Sequence, residues 1–489
     1  MYKNLTFCIC ALLIGALSAF AQDQQPNILF IAIDDMNDWT GFLGGHSEAI
    51  TPNLDKIADK GINFTNAHVS APGCSPSRNA LLYGVEPFNS GLYPFYDHDI
   101  HDQLREKYTT LPTLLKANGY NTFGSGKIHH GSSDDPNEWT DYYKPKAAQK
   151  KFKEGEGYKR NSKHSFRPTL HPDEEHKDHQ FANYGIEKLK EKHDKPFFLA
   201  VGIVKPHLPF DAPIRFFDQY PKEVDLENYK EDDLKDIPQA GKKLIKQGEF
   251  NQYKKDEAWG KIRRAYLASI SWADYNIGRV LKALEESDYA ENTVVVIWSD
   301  HGFHLGEKNT FKKFTLWEEA TKVPFIIYDG RIKNQPKGRT YDEPVSLINV
   351  YKTIAEYTGV QVPAYVDGES LIPVVKDQNK ELSKPTITSW GRGNYAVRTK
   401  THRYIRYHDG SEELYDHTTD PNEWKNLAKD ASYTDLIIEF KSQLPQNEKP
   451  MIEDYVNIWS IEGADRAKYR DNAAPQTNIK KKKKDKKKN

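Results

Sequence analysis

The stretch Asn27-Ile28-Leu29-Phe30-Ile31-Ala32-Ile33-Asp34-Asp35 sets an almost unbroken apolar run directly before two acids. A strand with one wet face alternates polar and apolar side chains. A strand covered on both faces reads as a continuous run, as in a parallel sheet sandwiched by helices. Residues 196–203, 293–299 and 323–328 have the same character, and we read all four as buried parallel strands. Helical patterns lie between them. Thr51-Pro52 opens one that stops at Gly61, a capping residue with Pro at the first helical position and Gly at the end. Others cover residues 111–118, 182–192, 262–286 and 345–358. Strands alternating with helices predict an α/β fold with a mainly parallel sheet flanked by helices. After about residue 375 the pattern changes. Residues 386–390, 395–399, 403–407 and 413–415 are short, alternating and separated by turns, and 433–444 is helical. They predict a small C-terminal antiparallel sheet with one helix against it.

The strand ends carry the chemistry. Asp34-Asp35 closes the first strand, and Asp300-His301-Gly302 follows residues 293–299. Ligands of open α/β sheets bind at the carboxyl ends of the strands, so the two pairs converge. Either pair alone reads as a turn or a helix cap. Together, Asp34, Asp35, Asp300 and His301 make an oxygen-rich set suited to calcium or magnesium. Cys74, in Ala71-Pro72-Gly73-Cys74-Ser75-Pro76-Ser77-Arg78, precedes a helical stretch. A thiol there meets unpaired N–H groups and the positive end of the helix dipole, a place for a nucleophile that attacks an anion. A buried structural cysteine is the plain alternative.

The two ends speak of export. Lys3, the apolar residues 7–20 and Ala19-Phe20-Ala21 form a secretory signal, with the mature chain starting at Gln22. The run is short of the roughly 20 residues a membrane span needs, and no other stretch offers a stable span. Of three cysteines, Cys8 and Cys10 leave with the signal, so the mature chain keeps Cys74 and has no internal disulfide. The 489 residues, 37% hydrophobic, suffice for a large core, and a net charge of −1 gives none of the basic excess of a nucleic-acid protein. That balance hides the Lys-rich run 480–488, a solvated tail in the bland reading and an anionic-surface contact in the sharper one. The expected organisation is 1–21 signal, 22–375 catalytic domain, 376–470 C-terminal subdomain and 471–489 disordered tail.

Cys74-Ser75-Pro76-Ser77-Arg78 resembles the Cys-x-Pro-x-Arg signature of the formylglycine-dependent (type I) sulfatases. The resemblance extends from Asp34-Asp35 to Glu413-Leu414-Tyr415-Asp416, covering nearly the whole mature chain. It is closest to the iduronate-type sulfatases, in residues 196–202, Lys205-Pro206-His207-Leu208-Pro209-Phe210 and Ser299-Asp300-His301-Gly302. It implies an alkaline-phosphatase-like fold and hydrolysis of the sulfate esters of a sulfated carbohydrate by an exported, periplasmic or secreted enzyme. Algal ulvan and carrageenan are the first substrates to consider and glycosaminoglycans the next. It also implies conversion of Cys74 to formylglycine (3-oxoalanine) by a maturation enzyme, and Ca2+ on Asp34, Asp35, Asp300 and His301 with residue 74 completing the site. By the same resemblance Arg78 holds the formylglycine hydrate, Lys127 and Lys313 bind the sulfate, and His207 lies near the leaving oxygen. Histidine occupies both candidate places in Lys127-Ile128-His129-His130; the iduronate-type spacing selects His130.

Other readings remain open from sequence. Phosphoester and phosphonate hydrolases share the superfamily; the Cys-x-Pro-x-Arg run disfavours the Ser- or Thr-dependent phosphatases, and a one-cation site disfavours both. A catalytically silent carbohydrate-binding protein is the non-enzymatic alternative. His164, His171, His176 and His179 are spaced loosely for zinc and read as a solvated loop. His98 and His101 are candidate substrate contacts. The polar residues 205–261 read as an excursion over the active face.

Overall fold

A computed structural model describes residues 25–93, 100–131, 135–145, 154–161, 164–225 and 227–452. The signal stretch, the Lys-rich tail and His98 lie outside the described residues, and of His101 only its place in the helix Ile100–Lys107 is described.

The main sheet has eight strands: β1 (Asn27–Asp34), β2 (Ile62–Phe64), β3 (Asn121–Gly126), β4 (Asp141–Tyr143), β5 (Phe197–Pro206), β6 (Thr293–Ser299), β7 (Phe325–Asp329) and β8 (Arg339–Tyr341). Their spatial order is β8-β2-β7-β6-β1-β5-β3-β4. β1 lies at the centre, parallel to both β5 and β6. Its side chains divide by parity. Leu29, Ile31 and Ile33 enter one apolar cluster, and Ile28, Phe30 and Ala32 enter another on the opposite face. Double coverage is therefore the reason for the continuous apolar run. The covering helices include α1 (Pro52–Lys60), α2 (Cys74–Tyr83), α3 (Leu111–Ala117), α4 (Lys177–Lys190), the 27-residue α5 (Trp259–Glu285) and α6 (Asn349–Thr358).

One strand departs from expectation. β7, read from sequence as parallel, runs antiparallel to both β6 and β2. Burial on two faces gives the same composition whichever way a strand points, so direction was not legible. The chain leaves the carboxyl end of β6 and returns without a crossover helix, pairing Trp298 with Phe325. Residues 300–324 thus stay at one end of the sheet. A smaller correction concerns residues 345–348, expected as helix: Val345–Ser346 is a short strand, and α6 begins at Asn349.

The second sheet is a four-stranded antiparallel meander of β9 (Thr386–Ser389), β10 (Tyr395–Arg398), β11 (His402–Arg406) and β12 (Glu412–Asp416), with α7 (Thr434–Gln443) against it. It clamps the 300–324 segment. The Arg403 guanidinium meets Glu318 and, at 2.7 Å, Glu423; Arg398 also reaches Glu318, and the Trp317 indole N–H donates to Glu413 at 2.8 Å. Glu318, His417 and Glu423 sit close enough together to ligate an ion, but Arg398 and Arg403 already balance the two carboxylates.

Candidate active site

The site grows from the β1 end. Between Ile33 and Asp34 the register against β5 shifts, a bulge that re-aims the residues beyond it. Asp35 then adopts φ +65°, a left-handed conformation uncommon outside glycine. Its N–H donates to Asp300 Oδ1 at 3.0 Å, and the Asp300 N–H donates to the Ile33 carbonyl at 3.1 Å, lacing the ends of β1 and β6 together. The ligand atoms of Asp34, Asp35, Cys74, Asp300 and His301 all lie within 4.8 Å of one another, and all five residues are buried.

Cys74 is the first residue of α2, after an extended Gly73 that gives no side-chain cap. Its Sγ lies 3.2 Å from His301 Nε2 and 3.5 Å from Asp34 Oδ1, and the Lys313 ammonium is 2.9 Å away. Burial pushes the thiol up, but Lys127 and Lys313 outweigh it and bring it down to about 6. Lys127 grips both oxygens of Asp34 at 2.6–2.7 Å, and Lys313 holds Asp35 Oδ1 at 2.6 Å. Even so, burial lifts the Asp34 carboxyl to about 7, whereas His207 and Lys313 hold Asp35, and Arg78 and His301 hold Asp300, well below the usual carboxylate range. The closeness of the five ligand atoms fits a divalent cation. The donor set fits as well: three carboxylates, plus a histidine whose Nδ1–H donates to the Gly302 carbonyl at 2.8 Å, turning Nε2 toward the carboxylates.

Arg78, fully buried, has all five N–H groups matched. They go to Asp300, Asp34 and the carbonyls of Ile33, Lys127 and Ile128. It ties α2, β1, β3 and β6 into one frame, and among the described residues no hydrogen bond from it reaches Cys74. His207, half-exposed, donates from Nδ1 to the Leu208 carbonyl at 2.7 Å and sets Nε2 4.0 Å from Asp35. His129 and His130 part company. His129 is buried against Glu138 at 2.8 Å. The His130 ring is partly exposed, and its protonation is opposed first by burial and then by Lys127, to about 3.

A family profile described as Sulfatase matches residues 26–360, more than half of the chain and the whole of this site. The chain belongs to the sulfatase family. Members hydrolyse sulfate esters, and they generally use a formylglycine made from cysteine together with a divalent metal. A second profile, the C-terminal part of N-sulphoglucosamine sulphohydrolase, matches residues 306–450. The chain is 37% identical over 457 residues to a sulfatase of Formosa agariphila, covering 86% of this chain and 87% of the relative. It is 30% identical over 413 residues to human iduronate 2-sulfatase, covering 73% of each. A solved 2-O GAG sulfatase superposes with TM-score 0.69 at 24% identity, over 86% of this chain and 91% of that one, which speaks for the fold.

In this sulfatase the histidine-rich stretch is not the solvated loop expected. His176 and His179 are buried beside Trp272, and His176 contacts the Thr169 hydroxyl. A cavity of about 540 Å3 opens elsewhere, between α1 and α5, and none of the five clustered residues lines it. Sequence reasoning passed over Phe314 and Glu138. Phe314 adjoins Lys313 in the chain but carries no signal of its own, and Glu138 is singled out only by its contact with His129 in space. No helix among the described residues is long and apolar enough to cross a membrane.

Proposed function

We propose that this sulfatase is exported and cleaves sulfate esters of a carbohydrate through a formylglycine at position 74, with calcium held by Asp34, Asp35, Asp300 and His301. The observation that carries the reading is the Cys74 side chain at the start of α2, among three carboxylates and within 2.9 Å of the Lys313 ammonium. The match to an iduronate 2-sulfatase and the likeness to a 2-O GAG sulfatase favour a sulfated sugar as substrate. Ulvan- and carrageenan-type oligosaccharides join glycosaminoglycan fragments in the panel to be tried.

The hydrated formylglycine is a geminal diol. One of its oxygens attacks sulfur in line while the sulfur–sugar-oxygen bond breaks. His207, at the mouth of the site, gives a proton to the leaving sugar oxygen, help typically worth ~10²–10⁴-fold. Lys127 and Lys313 stabilise the sulfuryl oxygens, and each such preorganised charge contributes a few kcal/mol, on the order of 3. The second hydroxyl of the diol then loses its proton, the C=O bond re-forms and sulfate leaves; water restores the diol. Calcium, when bound, supplies positive charge beside residue 74 and makes a hydroxyl there more acidic. In this reading Arg78 is a positioning residue, because its donors are already engaged. His130 is taken as the histidine facing the substrate.

The test is inorganic sulfate release from ulvan, carrageenan and heparan-type oligosaccharides, with Cys74→Ala as control. The wild type is expected to release sulfate from one class and Cys74→Ala from none, with its melting temperature nearly unchanged. Persisting activity in Cys74→Ala overturns the assigned nucleophile. Mass analysis of the peptide bearing residue 74 is expected to show formylglycine. Calcium added back after chelation is expected to raise the melting temperature, because only the folded chain gathers the three carboxylates. An unchanged melting temperature counts against the metal site.

A further inference from the structure

Lys313 is flanked by two residues in the left-handed region, Lys312 at φ +85° and Phe314 at φ +82°. For a bulky side chain that conformation costs about 1–3 kcal/mol and persists only where the surroundings over-determine it. Three separate parts of the chain do so at Phe314. Its N–H donates to the Pro72 carbonyl at 3.1 Å, two residues before Cys74. Its ring stacks on Trp390 with centroids 5.0 Å apart and planes 20° apart. The Lys246 ammonium stands 5.9 Å from the ring centroid, and the Lys246 N–H donates to the Thr310 hydroxyl at 3.0 Å. Trp390 directly follows β9 of the second sheet, and Lys246 belongs to the 205–261 excursion. Trp390 is buried, whereas Phe314 and Lys246 are only partly so. On its near side the same ring lies 5.7 Å from the Lys313 ammonium, which itself touches Cys74.

We infer that Phe314, backed by Trp390, is the ledge against which the sugar bearing the scissile sulfate packs, and that Lys246 reads a second anionic group on that sugar or its neighbour. The inference rests on the sulfated-carbohydrate reading above. An aromatic face offers apolar area to the C–H face of a pyranose, and an ammonium beside it pairs with a carboxylate or a second sulfate. A bare aryl sulfate uses Lys127 and Lys313 but presents nothing to Lys246. Specificity is therefore written across the seam between the two sheets rather than in the nucleophile loop.

The experiment compares kcat/KM of the mature enzyme on four probes: an aryl sulfate, a monosulfated neutral disaccharide, a monosulfated disaccharide carrying a uronate carboxylate, and a disulfated disaccharide. Lys246→Met is expected to lose about tenfold more on the probes with a second anion than on the neutral disaccharide, chiefly in KM, as one partly screened ion pair warrants. Lys246→Arg is expected to restore the difference, and added salt to shrink it. The carboxylate and disulfate arms show which anion is read. Phe314→Leu is expected to raise KM for every disaccharide, and Phe314→Tyr to keep the wild-type value, which separates a lost ledge from a misfolded loop. Equal losses for Lys246→Met on all four probes overturn the inference, as does a wild type that turns over aryl sulfate and no disaccharide. A mature wild type inert on every probe overturns the carbohydrate-sulfatase reading itself.

Discussion

Adjacent histidines show how far residue identity reaches on its own. His129 and His130 are indistinguishable by type, yet one is pinned in the interior by Glu138, which also accepts from the Thr110 hydroxyl, and the other answers to the charge of Lys127. His129→Ala strands a buried carboxylate and is expected to cost about 3 kcal/mol in denaturant unfolding. His130→Ala is expected to leave unfolding nearly unchanged and to lower sulfate release about a hundredfold. The reverse pattern reassigns the pair. Glu86 offers a test of buried charge away from the cluster. Burial, with Asp367 adding to it, lifts its carboxyl from 4.5 to about 8. A carboxyl with a raised folded pKa holds its proton longer folded than unfolded, so stability falls as pH rises between those values. Glu86→Gln is expected to gain on wild type by up to about 1.4 kcal/mol per pH unit across that window, read as melting temperatures at pH 5 and 8. At this scale the metal-capable residues and Cys74 were legible in the sequence, because acids at strand ends and a thiol at a helix start carry their chemistry with them. Phe314 was not, because its meaning lies in Trp390 and Lys246, far away along the chain.

At the scale of elements, the ends of β3 and β5 explain why Lys127 sits where it does. Gly126 is left-handed at φ +76°, and a Cβ there would overlap the Gly202 carbonyl oxygen on the neighbouring strand. Only a bare backbone lets β3 close on β5 and turn the Lys127 carbonyl onto Arg78, 2.5 Å away. Gly126→Ala is expected to lower stability by about 2 kcal/mol or more and to cut activity with it. Gly119 is equally left-handed at φ +91° but faces open space, so Gly119→Asn is expected to be tolerated in both assays. If Gly126→Ala behaves like Gly119→Asn, the close approach does not position Lys127. The buried strands and the longest helices were readable from hydrophobic periodicity. The direction of β7 was not, and neither were the short strands β2 and β4, whose pairing depends on neighbours distant in sequence.

Across the whole molecule, two sheets share one site. The ends of β1 and β6 in the main sheet supply the carboxylates, α2 supplies Cys74, and the meander holds the segment carrying Lys313 in place through Trp317 and Glu318. The two styles of strand were separable in sequence, but the seam between them was not. Arg403, Glu413 and Glu423 look like ordinary surface charge in a linear reading, and they are buried. The antiparallel β7 has a consequence for engineering. Because Trp298 and Phe325 are rungs of one ladder, the segment bearing Asp300, His301, Lys313 and Phe314 starts and finishes at neighbouring backbone positions. Such a segment behaves as a cassette. Exchanging residues 306–317 with those of a homologous loop keeps both anchors in the sheet and the metal-capable pair upstream, while replacing the part that faces the sugar. Preference could then be transplanted between relatives without disturbing α2, which bears Cys74, or the strands on which it packs.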